Sequence, residues 1–281
     1  MLSSFRFIKV TLLLVTSIAL FAIAHAQERP KNVIIVGGSS GMGLAAARQV
    51  LQHGGHVLLV SRSVSKLERA RDQLACPERT SIAAMDITDE SQVQAFTLPP
   101  LDWDGLVITA AGRAPHEPVL TLETNHARTL LDSKLWGAYH CAKHWSPHLC
   151  DDGAVVLCAG ILNRRPGVNC APLAMANGAL EGLTRTLALE WAPRLRVNCL
   201  SPGFCDTERF DHMDPSRKHA MLEHTASSLP LQKVGQPSDM GEAIYYLLTA
   251  PFCTGVVLDV DGGHGIRQYA NPMNDPMRRN E

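Results

Sequence analysis

From Asn32 onward, short apolar or β-branched runs alternate with longer stretches that carry a helical pattern. The runs fall at 32–36, 56–60, 81–85, 105–109, 154–158, 195–199 and 256–260, and the helical stretches include 42–53, 64–74, 123–148, 172–191 and 238–249. Because the runs are apolar along their whole length, both faces of each strand are expected to be buried. Strands of that kind separated by helices predict a parallel sheet covered on both sides, a doubly wound α/β fold. No linker or low-complexity segment interrupts the pattern, which predicts a single domain over residues 27–281.

The first 26 residues are of another kind. Arg6 and Lys9 are the only charges before Glu28, and the apolar run from Val10 to Ala24, broken by Thr11, Thr16 and Ser17, closes on Ala24-His25-Ala26. A positive start, a short apolar segment and a small-residue cleavage site are the marks of a secretory signal peptide, cleaved here after Ala26. An uncleaved membrane anchor and a misassigned start codon are the alternatives. Export or anchoring places the protein in the secretory pathway or periplasm, with membrane association in the anchored case; a misassigned start leaves it cytoplasmic.

Composition narrows the function classes. Of 281 residues, 46 % are hydrophobic and 19 % charged, with 26 Lys+Arg against 27 Asp+Glu, which excludes a disordered chain and offers no basic field for nucleic acid. Among the eight cysteines, Cys141, Cys158 and Cys199 lie within apolar or helical runs and read as small buried core residues. No C-x-x-C pair or Cys/His spacing suggests a metal site.

In a doubly wound sheet the ligand sits beyond the carboxyl ends of the strands. After the first strand comes Val36-Gly37-Gly38-Ser39-Ser40-Gly41-Met42-Gly43-Leu44, leading into a helix. Glycines at 37, 41 and 43 permit a tight turn and close backbone approach, and the helix N-terminus supplies unpaired N–H groups for a pyrophosphate. Gly37, Ser39, Ser40, Gly41, Met42 and Gly43 are therefore expected at a dinucleotide. After the second strand stand Ser61 and Arg62, where a carboxylate would select a free ribose 2′-hydroxyl. A guanidinium beside a neutral hydroxyl suits a 2′-phosphate, so NADP is expected over NAD.

These motifs, continued along the chain, resemble the short-chain dehydrogenase/reductase family from about Lys31 to Gly265. The family's T-G-x-x-x-G-x-G falls on residues 36–43 with Val36 in place of Thr. Its N-N-A-G appears as Thr109-Ala110-Ala111-Gly112, Asp86 matches the acidic residue used on the adenine, and Pro202, Gly203 and Thr207 match the motif that meets the nicotinamide amide. Leu258-Asp259-Val260-Asp261-Gly262-Gly263 looks like the family's last strand. The resemblance implies a Rossmann-like single domain, with Ala111 and Gly112 also at the cofactor and a homodimer or homotetramer formed through 123–148 and 172–191, to which Trp136, Trp145 and Trp191 could contribute.

The family's catalytic positions are all replaced. Aligning Ala179-Leu180-Glu181-Gly182-Leu183 with the family's A-L-E-G-L puts Leu173 at the Tyr position and Asn177 at the Lys position; Gly160 then stands for the Ser and Lys134 for the helix Asn. Leucine has no proton to donate to a developing alkoxide, so the usual Ser–Tyr–Lys mechanism is not available. Lys and Asn have in effect exchanged places. Lys134 is expected to reach toward the family's Lys site as general acid or electrostatic stabiliser, with Asn177 orienting it and holding ribose hydroxyls.

Asn163, Arg164, Arg165, Asn169 and Cys170 border the substrate side of the cleft in this resemblance, with His116 and His126 nearby. Arg164 and Arg165 read as a solvated pair or as holders of an anionic substrate. The segment 204–233 is expected to cover the substrate, with apolar contacts from Met213, Met221 and Leu222; His212, His219 and His224 have spacings unsuited to a metal. The expected function is an NADP-dependent oxidoreductase acting on a carbonyl, hydroxyl or C=C small molecule with a non-standard proton donor. A redox-silent isomerase, cyclase or lyase and a dinucleotide-sensing binding protein are the alternatives, and a soluble dinucleotide being scarce outside the cytosol adds weight to the redox-silent one, to an uncleaved anchor and to a misassigned start.

Overall fold

The computed structural model describes residues 31–266; the expected leader, residues 1–26, lies outside them. Seven strands, β1 Val33–Val36, β2 Val57–Ser61, β3 Thr80–Ala84, β4 Trp103–Ile108, β5 Leu149–Cys158, β6 Leu195–Pro202 and β7 Val257–Val260, form one sheet in the order β3-β2-β1-β4-β5-β6-β7. Every pairing is parallel. The helices are α1 Gly41–Gln52, α2 Val64–Leu74, α3 Glu90–Ala95, α4 Thr124–Leu131, α5 Gly137–Trp145, α6 Ala171–Trp191, α7 Pro215–Ser227 and α8 Pro237–Thr249. Among the described residues no helix is long and apolar enough to cross a membrane.

The unbroken apolar runs are explained by two cores. Ile34, Val36, Leu106, Val155 and Leu157 face one side, where Cys141, Ala142 and Trp145 of α5 and Leu180 and Leu187 of α6 pack on them. Their neighbours Val33, Ile35, Val107 and Val156 face the other, against Ala46, Ala47 and Val50 of α1, Leu67 of α2 and Ile244 and Leu247 of α8. Period-two alternation thus sends every second side chain into a different core, as a doubly covered sheet requires. All eight cysteines are free, and Cys141, Cys158 and Cys199 are buried as expected.

Tertiary packing alters three readings. The expected helix 123–148 divides into α4, a π turn Asp132–Trp136, α5 and a 3₁₀ turn Ser146–His148, and β5 starts at Leu149, five residues before the apolar run. The short α3 was not marked by apolar periodicity; Asp89 starts it by accepting from Ser91 N at 3.0 Å. Of the three tryptophans assigned to an oligomer surface, Trp145 is buried with its indole N–H on Val93 O at 3.1 Å, and Trp191 packs against the core; Trp136 is 50 % exposed.

α1 and α8 lie close because Gly241 has no side chain: a Cβ there would stand 2.8 Å from the carbonyl oxygen of Ala45. Gly241→Val is expected to push the two helices apart and cost about 1–3 kcal/mol. Chemical denaturation should show a lowered midpoint with an unchanged slope.

Candidate active site

The strand order reverses between β1 and β4, and there the carboxyl ends of the strands open into a cleft of about 830 Å³. Its floor is the turn from β1 into α1. Gly37 has φ +86°, and a Cβ on it would lie 2.7 Å from Ala110 N; a Cβ on Gly43 would lie 2.4 Å from Gly37 O. Only glycine at these two positions lets the turn close against the end of β4. No side chain caps α1 at Ser40 and no acid lies in its first turn, so its N–H groups face the cleft without a local partner. One of them is taken from a distance: Gly41 N–H donates to the Glu208 carboxylate at 2.8 Å.

The next wall comes from β2 and α2. Ser61 and Arg62 line the cleft, and the buried Ser61 Oγ has no hydrogen-bond partner. Lys66 and Arg69, which the sequence reading did not single out, line it from α2. Spacing of three residues puts them on one helix face, and Ser63 starts that helix by accepting from Lys66 N at 3.4 Å. Asp86 lines the opposite wall with one carboxylate oxygen accepting from Thr88 N and Oγ1 at 3.0 and 2.9 Å. An orphaned hydroxyl, three basic side chains, a glycine cradle and a free helix N-terminus fit a dinucleotide with a 2′-phosphate.

Beyond β4, Thr109 Oγ1 donates to Val36 O at 3.1 Å, so it ties strand ends together where the resemblance has Asn. Gly112 N–H donates to the buried Ser133 Oγ at 2.9 Å, and a Cβ on Gly112 would meet that oxygen at 2.6 Å. Ser133 belongs to the π turn, and this contact joins the cleft wall to the segment that carries Lys134. A π turn is a recurrent feature of functional sites, and apolar periodicity could not reveal it.

Lys134 is 8 % exposed and its Nζ donates to Ala159 O at 2.9 Å. Burial pushes its pKa down; Cys158 and Cys199 oppose this in part, and Arg209 adds to it. Asn177, from α6, is buried against the following residue, Gly160, with its Oδ1 unpartnered. Lys134 and Asn177 therefore converge on consecutive residues at the end of β5, although no hydrogen bond joins them. Gly160 has φ +152°, and a Cβ there would be 3.0 Å from Asn177 Nδ2, so this backbone does not accept a serine without strain. Leu173 is half-buried in the first turn of α6. None of these four residues lines the cleft itself, whereas Ser133 does.

Of the remaining expected positions, Ser39, Ser40, Met42, Ala111 and Thr207 line the cleft. Pro202 and Gly203 end β6 outside that lining, with a Cβ on Gly203 only 2.6 Å from Asp261 Cα. Arg164 is partly exposed, with its side chain 39 % accessible, but its guanidinium is already engaged and not free for a substrate. It donates to Asp259 Oδ2 and Ser201 Oγ at 2.8 Å and lies 3.2 Å from Glu181, and its pairing with Asp259 raises its pKa. Asn163 Oδ1 and Arg165 Nε are buried without partners, and Asn169 turns at φ +62°. His116 lines the cleft, 3.4 Å from the thiol of Cys170, whereas His126 does not.

The covering segment is ordered by its own contacts. Phe204 and Phe210 stack at 5.2 Å, and Lys218 of α7 bridges Asp206 and Asp211, each at 3.0 Å. Thr207, Arg209, Phe210 and Met213 reach the cleft, while Met221 and Leu222 do not. His212 hydrogen-bonds Arg209 O and His219 pairs with Glu223, so the histidines of this segment have separate partners.

Glu208 occupies an N–H that a pyrophosphate would use, so Glu208→Gln is expected to tighten NADPH binding about fivefold. Lys66→Ala with Arg69→Ala should weaken NADPH at least tenfold and leave NADH nearly unchanged. Fluorescence titration of both dinucleotides checks the pair of outcomes.

Residues 36–265 match the sequence model of a family described as enoyl-(acyl carrier protein) reductase. The chain is 30 % identical to ketoacyl reductase 2 of the granaticin polyketide synthase from Streptomyces violaceoruber, over 85 % of this chain and 97 % of that one. It is 29 % identical to the mouse (Mus musculus) peroxisomal 2,4-dienoyl-CoA reductase, over 85 % of this chain and 87 % of the relative. Among solved structures, a small-chain dehydrogenase in complex with NADPH superposes with a TM-score of 0.73 at 32 % identity, covering 85 % of this chain and all of the other. The structure of ElxO with NADP bound superposes with a TM-score of 0.75 at 27 % identity, over 84 % of this chain and 99 % of that one. With a family model that matches nearly all of its described residues and relatives that match it over most of their length, the chain belongs to the short-chain dehydrogenase/reductase family.

Proposed function

We propose that the protein is an NADP(H)-dependent oxidoreductase acting on a small molecule, at a carbonyl or its alcohol or at a conjugated C=C bond. The observation that carries this reading is the dinucleotide cleft, complete from the glycine turn to the basic wall of Arg62, Lys66 and Arg69. NADPH bound there supplies the hydride. Ser39 and Ser40 with the α1 N-terminus would hold the pyrophosphate, Asp86 the adenine side, and Ser61 with the basic wall the 2′-phosphate. Relatives named as reductases and dehydrogenases support the redox reading over an isomerase or a sensor.

The chain's own acid is Lys134. An ammonium has three N–H donors, and one is held by Ala159 O; Lys134 sits behind the cleft lining, and a reacting oxygen would meet the other two at the end of β5 beside Ser133, which does line it. Gly160 and Leu173 offer no side-chain donor there, so the charge that offsets a developing alkoxide comes from this buried ammonium. The unpartnered Oδ1 of Asn177 supports reading it as an acceptor for a ribose hydroxyl.

Residues 1–26 are read as an export signal or anchor. Sequencing of the mature N-terminus should give Gln27 if the signal is removed. Exposed Trp136, Tyr139 and Met175 on the helical face support a homodimer or homotetramer, which light scattering measures.

Lys134→Met is expected to lower kcat about 100-fold or more while leaving NADPH binding within a few-fold. The depressed pKa sets the sign of the pH dependence. The ammonium is present below that pKa, so turnover is high there and falls as pH rises through it. Lys134→Arg keeps its charge, and the alkaline fall should move upward or vanish in its pH–rate profile. An unchanged profile would remove Lys134 from the mechanism.

A further inference from the structure

The 2′-phosphate wall does not account for all the positive charge of the cleft. Arg113, which follows Gly112 and so sits next to the Ser133 contact, and Arg209, on the covering segment, both line it. Among the described residues neither guanidinium donates to an acceptor or pairs with an acid. Arg209 is held down in pKa by burial and by Arg113, and it in turn lowers His116 and Lys134, with no carboxylate offsetting any of these couplings. Glu208, the acid adjacent in sequence, is turned away onto Gly41 N–H.

Two like charges gathered in a partly desolvated wall are unfavourable unless an anion joins them. A pyrophosphate is already provided for by the α1 N-terminus, and a 2′-phosphate by Arg62, Lys66 and Arg69 on the far side. The residues that couple to Arg209 instead sit at the reacting end: Lys134 at the tip of β5, and His116 against Cys170, which directly precedes α6. We infer that this protein selects substrates bearing an anionic group, a carboxylate or a phosphate monoester, and that Arg113 and Arg209 clamp that group while the carbonyl faces Lys134. The fork geometry of guanidinium suits either oxyanion, and such contacts are charge-assisted. The inference rests on the oxidoreductase reading for its chemistry but not for its anion site. Arg164, which the sequence also offered for this task, is committed to Asp259, Ser201 and Glu181.

Three matched aldehydes test it: 4-carboxybenzaldehyde, 4-formylphenyl phosphate and the neutral methyl 4-formylbenzoate. The expected result is kcat/KM at least tenfold higher for one or both anions than for the ester. In the Arg113→Met/Arg209→Met double variant that preference should fall to within threefold while the NADPH dissociation constant changes less than threefold. The relative rates of the two anions decide between carboxylate and phosphate. An ester turned over as well as both anions by the wild type overturns the proposal. So does a double variant that keeps the preference, or one that loses NADPH affinity tenfold, since the guanidiniums would then serve the cofactor. Calorimetric titration of 4-(hydroxymethyl)benzoate and of its methyl ester into the NADP-saturated protein reads the anion site without turnover. Binding of the acid but not the ester, with no NADPH oxidation of any aldehyde, would sink the oxidoreductase reading and leave the anion site standing; no binding of the acid or of 4-(hydroxymethyl)phenyl phosphate would overturn the site.

Discussion

The structure depends on how closely backbone can approach backbone where β1, β4 and β5 end. At Gly37 and Gly43 the turn into α1 closes against the end of β4 with no room for a single carbon atom. That closeness aims the α1 N-terminus into the crevice at the strand-order reversal and lets Thr109 tie to Val36 across it. Gly112 repeats the requirement one step further along, pressed on Ser133, and so connects the dinucleotide end of the cleft to the π turn. A helix N-terminus is useful to an anion only when its N–H groups can be approached, and these absent side chains leave Glu208 on Gly41 N–H as the group to displace.

At the tip of β5 the same economy of space has another result. Gly160 takes a backbone conformation open to glycine, and the volume a side chain would need is filled by Asn177. The Lys134 ammonium meanwhile takes its one protein partner from a backbone carbonyl. Where the resemblance sets the family's serine hydroxyl at Gly160, the backbone and the amide of Asn177 occupy the space that a side chain there would need. Burying an ammonium without a carboxylate is unfavourable and makes it readier to give up a proton. That is the property the proposed role of Lys134 as acid calls for.

Charge is divided by position along the cleft. Arg62, Lys66 and Arg69 gather at one end and Arg113 and Arg209 at the other, with Lys134 buried behind the lining, while the chain as a whole is close to neutral. A near-neutral composition therefore conceals a strongly positive groove, because the acids are spent elsewhere: Asp259 and Glu181 on Arg164, Asp206 and Asp211 on Lys218, and Glu90 on Lys143 and His144. Net charge speaks to solubility and nonspecific association, and it is silent on such local separation.

The alternation of fully apolar runs with helical stretches was enough to determine the doubly wound sheet, and the glycine spacing at 37, 41 and 43 was enough to locate the dinucleotide turn. Both are local signals, set by side-chain periodicity and by the φ values a residue can adopt. The expectation that 134, 160, 173 and 177 stand at the family's catalytic positions likewise rests on position along the chain alone. Contacts between residues far apart in the chain could not. Only the folded chain brings Lys134 to Ala159 and Asn177 to Gly160, takes Arg164 out of the substrate loop's chemistry, adds Lys66 and Arg69 to the cofactor wall, and sets Glu208 on Gly41. The π turn also belongs to that class, since apolar spacing continues through it and its altered hydrogen bonding shows only when Ser133 is seen bonded to Gly112. Periodicity records which face of an element is buried; it carries no information about which distant side chain arrives to meet the polar groups at its end.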